Sequence, residues 1–433
     1  MLITLLFLYV FGFKINLVFF SLSSTQIVGI LLMLFFCLNS KYRSIVKTIL
    51  LDKRILLIFS YLISIICFCM LITLLHLTYD FSIIKTFINQ LFNLFVGVLL
   101  FSLFKCYSKN NKIFLFLIYI FLIQSLLQLS SFLMPEINNI LNYFRYEDAL
   151  LRGQEGYGGL RGLGVSGSAF YGLAIAYGLI YIYLISNFKN LISSKYLILL
   201  IFPLLLFGGL SAGRTSYLGI ILSFLFIVRF LSKKKFGIRK ININMKGILV
   251  MYLLISIIFV SIPLSNIISE DINLKVTKLT DYGFQMFYNF QKTGEFSTSS
   301  TDVLANMYFD IDDTSTYLYG KGLYTNSDGS YYMHTDAGYM RNVLYFGIGG
   351  ILLLLFYQIL FFEWSIKQNL LRNFICILFI LIVHYKGDAL GFSIIMQNIL
   401  FLILLYDRHN RKFVLETNKI TRKDKSNENL LLG

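Results

Sequence analysis

The chain has 433 residues, of which 57% are hydrophobic, 17% aromatic and 14% charged, with a formal net charge of +16. Soluble domains carry about a quarter charged residues, so this composition excludes an ordinary soluble fold. The positive charge would suggest nucleic acid in a soluble protein; here it reflects where Lys and Arg sit beside the apolar runs, and no nucleic-acid partner is expected.

Those runs are about 20 residues long and recur from end to end, each able to cross a bilayer core. Backbone polar groups in lipid must be satisfied within the segment, so the runs have to be helices. The fold class expected is all-α: a polytopic integral membrane protein with about twelve transmembrane helices. In chain order the runs are Met1–Phe20, Ser21–Leu38, Ile55–His76, Phe81–Phe104, Ile113–Met134, Ser166–Ile185, Leu197–Leu210, Tyr217–Leu231, Gly247–Ile268, Gly338–Phe362, Leu370–Tyr385 and Ala389–Tyr406. Lys14 interrupts the first. That run has no charged leader and no small-residue cleavage site, so it reads as a retained span. Residues 1–268 then hold nine spans with a Gly-rich connector at 135–165, 269–337 form a large polar loop, 338–406 hold three spans, and 407–433 form a polar tail.

Short connectors rich in Lys and Arg stay in the cytoplasm. Lys41–Arg54, Lys105–Lys112, Lys189–Lys195, Arg229–Lys246, Lys367–Arg372 and the tail from Arg408 all agree, each separated from the next by two runs. Both termini are then cytoplasmic, and the polar loop lies outside. The five cysteines lie in or beside apolar runs, so no disulfide framework is implied.

Arginines on the outer side need a reason, and they fall in three places. Arg152 to Ser168 contains seven glycines, with Arg152, Glu155 and Arg161 among them. Glycine lets backbone amides approach a ligand closely, a following helix start favours anions, and guanidinium groups match phosphate. A flexible surface loop is the plainer account. The second place is the tight turn Ser211-Ala212-Gly213-Arg214, where an arginine reaching toward headgroups is the alternative. The third is the return of the polar loop to the membrane, with His334, Asp336 and Arg341 close in sequence. Asp336 reads either as an anionic helix cap or as a group that orients or deprotonates an acceptor hydroxyl. Tyr317, Tyr319, Tyr324, Tyr331 and Tyr332 offer aromatic faces for sugars or for packing. No His, Asp or Glu cluster has ligand spacing, so neither metal nor other cofactor is expected.

The segments RGLGVSGSAFYGLA, GGLSAGRTSYLGIILS and TDAGYMRNVLYFGIGG resemble, in order and spacing, the motifs of O-antigen and capsular repeat-unit polymerases. The related O-antigen ligases share the plan, but their His and Gly spacing is not matched by His334, Thr335 and Gly347, which favours polymerase. The resemblance implies a GT-C-like membrane glycosyltransferase plan in the cytoplasmic membrane with an extracytoplasmic active site. It implies that undecaprenyl-diphosphate-linked oligosaccharides serve as donor and acceptor, with a chain-length regulator as a further partner. On this reading Arg214, Arg161 and Arg341, with Arg152 in reserve, bind the diphosphate. Asp336, Glu155 and His334 are the candidates for the catalytic base. A ligase that moves finished polymer to another acceptor and a flippase for the lipid-linked unit are the competing expectations. Clean apolar cores and the large polar loop argue against the flippase.

Overall fold

The protein was analysed as a computed structural model that describes residues 1–16, 21–107, 113–147, 162–168, 170–187, 195–234, 270–295, 297–311, 313–367 and 369–409. Helix α1 (Leu2–Phe11) stops after 10 residues, where Gly12 takes up φ 52° and closes on the Leu8 carbonyl. Strands β1 (Lys14–Asn16) and β2 (Ser21–Ser23) then pair antiparallel. The expected first span, Met1–Phe20, is therefore corrected to a helix of roughly 15 Å followed by the first strand of an antiparallel pair. A left-handed glycine ends the helix, and Lys14 already belongs to a strand.

Helix α2 (Ser24–Leu38) opens with a capping box between Ser23 and Gln26. It meets α3 (Ser40–Leu50) at 115°. On α3, Tyr42, Val46 and Ile49 are buried, whereas Lys41, Arg43 and Lys47 are exposed. Positions i, i+4 and i+7 share one helix face, so this is an amphipathic helix suited to a membrane surface. The basic connector expected at Lys41–Arg54 is mostly helical.

Next come α4 (Lys53–Leu75), α5 (Ser82–Tyr107), α6 (Ile113–Leu133) and the short α7 (Pro135–Asn142). Helices α8 (Phe170–Ser186), α9 (Lys195–Ala212) and α10 (Ser216–Lys234) follow. The expected polar loop contains α11 (Glu270–Thr293), α12 (Ser299–Asn306) and α13 (Thr314–Tyr319). The chain continues as α14 (Gly338–Leu360), α15 (Leu370–Lys386) and α16 (394–409). Among the described residues, α4, α5, α6 and α14 are long and apolar enough to cross a membrane, and the bent pair α2–α3 adds a fifth if it counts as one span. The expected Gly247–Ile268 span lies outside the described residues.

Helix α8 is buried on every side from Gly172 to Leu184, as a helix apolar all round must be. It packs against α9, α10 and α15. Its approach to α10 is close: a Cβ on Gly219 would lie 2.2 Å from the Gly178 carbonyl oxygen, the small-residue contact that holds helices together in lipid.

Helix α14 is interrupted. Gly347 has φ 69° and ψ −175°. The break frees the Leu344 and Tyr345 carbonyls, which accept hydrogen bonds from the Lys321 and Gly322 amides at 2.6 and 3.2 Å. The segment after α13 thus replaces the lost helical partners, as a broken helix in a membrane protein requires.

Polar side chains gather at the two ends of the long helices. At one end Arg54 donates to the carbonyls of Leu360 and Phe362 at 3.1 and 3.3 Å, capping α14. There Arg408 meets Asp52 at 2.6 Å and Glu363 at 3.2 Å, and Arg372 pairs with Asp407. Burial pushes the Glu363 carboxyl up, but hydrogen bonds from Ser365 and Arg408 outweigh it and hold the group below its ordinary value. The opposite end carries the site described next.

Candidate functional site

Helix α14 begins at the second polar end and carries Arg341 in its first turn. Arg341 is 6% exposed. Its Nη1 lies 3.1 Å from the Asp388 carboxylate and 4.0 Å from that of Asp336. The guanidinium is also held between two aromatic rings, 3.7 Å from the Tyr324 centroid and 3.8 Å from that of Tyr331. Cation–π contacts of this kind strengthen when desolvated.

The two tyrosines are held in place from the α4–α5 connector. Asp80 accepts hydrogen bonds from the amides of Tyr324 and Thr325 at 2.7 and 2.8 Å, and Thr78 donates to the Gly322 carbonyl at 2.7 Å. Thr325 and Tyr331 then pair across a turn that ends at Gly329, φ 80°. A carboxylate that takes two backbone N–H groups is a strong, directional clamp. It fixes the 324–331 turn over Arg341.

Asp388 lies in the short connector between α15 and α16. Tyr324 donates its hydroxyl hydrogen to it, and the Asn342 amide approaches its other oxygen at 3.2 Å. Burial pushes the Asp388 carboxyl well up; the Arg341 guanidinium works against this by favouring the charged form. His384, fully buried, accepts from the Ala389 and Leu390 amides on Nδ1 at 3.0 and 3.2 Å. Its Nε2 lies 2.9 Å from the Asn342 side-chain nitrogen. His384 is thus a strut that shapes the connector. Tyr171 donates to the Gly387 carbonyl at 3.4 Å, and Tyr308 donates to the Tyr385 carbonyl at 2.6 Å while its ring stacks on Tyr385.

Arg214 occupies the turn between α9 and α10. It donates to the Gln285 side chain at 2.9 Å and to the Ser300 hydroxyl at 3.5 Å, and it lies 4.3 Å from the Tyr282 ring centroid. All three partners are uncharged. Among the described residues no carboxylate lies within ion-pair distance of Arg214. Gly213 lies against Ala174 of α8, where an added Cβ would stand 3.3 Å from the Ala174 Cβ, while Tyr171, at the start of the same helix, touches Gly387. The start of α8 therefore contacts both the Arg214 turn and the connector that carries Asp388.

Of the residues singled out in the sequence, Arg341 and Asp336 are brought together. Asp336 is 52% exposed and is not the helix cap: Ala337 holds that position, without a side-chain bond. His334 is exposed, with φ 53°. Tyr324 and Tyr331, expected as faces for sugars or for packing, hold Arg341. Arg152, Glu155 and Arg161 lie outside the described residues. Arg145, another arginine of the expected outer connector, is structural: it donates to the Gly164 carbonyl at 3.0 Å and to Asn138 and Asn142 at 2.9 and 2.7 Å. Burial pushes its guanidinium down to about 10.

Sequence reasoning missed Asp388, Asn342 and Asp80. The signal for Asp388 was the HYKGD connector, a carboxylate in a very short polar break between two apolar runs. No protein-family model matches the chain, and no curated protein or solved structure matches it significantly.

Proposed function

We propose that this chain is an inverting membrane glycosyltransferase that polymerises polyprenyl-diphosphate-linked oligosaccharide repeat units, the chemistry of O-antigen and capsule assembly. In this proposal it is a multi-pass protein of the cytoplasmic membrane that works at the outer face. The observation that carries the reading is Arg214. It is a partly exposed cation whose partners are a glutamine, a serine and a tyrosine ring, so its charge remains available to an anion. The motif resemblance and the aromatic lining around Arg341 support the same reading.

The acceptor hydroxyl attacks C1 of the donor sugar, the C1–O bond to the diphosphate breaks, and the lipid diphosphate leaves with the electron pair. Negative charge grows on the leaving oxygen, so a cation aimed there stabilises the transition state more than the ground state. Arg214 takes this role, and Arg161 and Arg152 are the further candidates for it. Arg341 ranks below Arg214 for the diphosphate, because Asp388 at 3.1 Å already meets its charge. Asp336, exposed and next to Arg341, is the first choice to receive the acceptor proton; Glu155 and His334 are the reserves. A diphosphate is a stable leaving group and needs no general acid.

The test is reconstitution of the purified protein in liposomes with a defined polyprenyl-diphosphate-linked unit. The wild type yields a ladder of lipid-linked polymer. Arg214→Ala, folded and inserted, leaves single units, a loss of about a hundredfold or more if the cation acts in the transition state. Single units from the wild type, or an equal ladder from the variant, would remove the proposal. Units that change leaflet without joining would point to a flippase, and transfer of preformed polymer to another acceptor would point to a ligase.

A further inference from the structure

A cavity of about 640 Å³ lies between α1, β2, α2, α5 and α16, at the same end of the helices as Arg341. Its walls carry Thr25, Asn89, Asn93, Phe92, Ser168 and Tyr331 among others, and none of the described lining residues bears a charge. Hydroxyl and amide groups share the lining with aromatic and aliphatic side chains such as Phe11 and Ile395. Asn89 and Asn93 stand one turn apart on α5, so their side chains share a face. Neither side chain hydrogen-bonds to another described residue, although Asn93 is only 7% exposed.

The chemistry narrows the occupant. A phosphate group would need cations, and the described lining residues include none. An acyl or prenyl chain would leave the buried Asn93 amide without a partner, which costs free energy. Sugar hydroxyls both donate and accept, as amides do, and the flat C–H faces of a pyranose suit aromatic walls. The volume falls within the roughly 300–1,000 Å³ of small-molecule sites, enough for a short oligosaccharide.

The cavity also adjoins the cation site. Tyr331 lines it and contacts Arg341, and Phe392 lines it and stacks on Tyr324 with centroids 5.7 Å apart. We infer that this cavity binds the uncharged oligosaccharide part of the lipid-linked substrate, with the Asn89 and Asn93 amides as its polar contacts. The inference rests on the polymerase reading for the identity of the substrate, but its test is separate.

The probe is the oligosaccharide released by mild acid from the host cell's lipid-linked units, freed of phosphate and added to the full-length protein in nanodiscs. Saturation-transfer NMR is expected to show binding by the wild type and by Arg214→Ala. Asn89→Leu combined with Asn93→Leu is expected to bind about tenfold more weakly or worse, as loss of several hydrogen bonds implies. Phe92 is partly exposed, so Phe92→Trp supplies a reporter that needs no amide substitution. Its emission should shift when the oligosaccharide is added. Absence of binding, equal binding by the double variant, or no change at Phe92→Trp would overturn the inference. So would a phospholipid that copurifies with the wild type and is lost from the double variant. If the oligosaccharide binds through Asn89 and Asn93 but no polymer forms, the polymerase reading falls and the saccharide site stands.

Discussion

Arg341 shows how a residue that is conspicuous in the sequence can owe its state to a partner that is not. Its neighbour Asp336 is legible, since the two lie five positions apart at a helix start (341 − 336). Asp388, which meets it at 3.1 Å, comes from a different connector, and no local pattern links the two. A buried ion pair costs desolvation on both sides and offsets it only when complete. Asp388→Asn should therefore destabilise the folded protein by about 3–5 kcal/mol by removing the nearer, buried carboxylate from the guanidinium. Removing both charges, Arg341→Met with Asp388→Leu, should cost less than the sum of the single changes. Thermal unfolding in detergent measures this, and strict additivity would show that the pair does not couple. The tyrosines were legible as aromatic faces but not as the holders of Arg341, because only the clamp from Asp80 turns them there.

At the scale of elements, long apolar runs translated directly: α4, α5, α6 and α14 lie where the hydropathy put them, within a few residues. What the runs could not reveal was their interruptions. FGIGG reads as continuous helix, yet Gly347 breaks it so that residues 321 and 322 can dock on the freed carbonyls. The difference from its neighbour is sharp. A Cβ on Gly347 would meet the Leu318 carbonyl oxygen at 2.3 Å, whereas one on Gly349 meets nothing within 4 Å. Gly347→Ala should cost about 3 kcal/mol or more through strain and collision. Gly349→Ala should gain roughly 0.5–1 kcal/mol from lower backbone freedom in the unfolded chain. Comparing the two unfolding midpoints tests the break; equal effects would contradict it. Helix α3 shows a similar limit: charge marked it as a connector, while its 3.6-residue period, which was also present, made it a helix.

At the scale of the whole molecule, two polar ends stand apart, joined by helices that run between them. One gathers Arg54, Arg372 and Arg408 with Asp52, Glu363 and Asp407. These come from the connectors and tail that the distribution of positive charge assigns to the cytoplasm. The other end holds Arg341, Asp388 and the cavity whose described lining is uncharged, and the start of α8 links it to the Arg214 turn. The division into ends was legible from the sequence because charge placement is a property of composition along the chain. The contents of the second end were not, since they depend on three connectors meeting.

The central claim is that this second end faces outward, where lipid-linked units are joined. Cysteine-free protein carrying Val303→Cys on α12 or Lys367→Cys between α14 and α15, both exposed positions, can be treated in intact cells with a membrane-impermeant maleimide. The account predicts that position 303 labels in intact cells and position 367 only after permeabilisation. Labelling of both from the same side, or the reverse order, would contradict it.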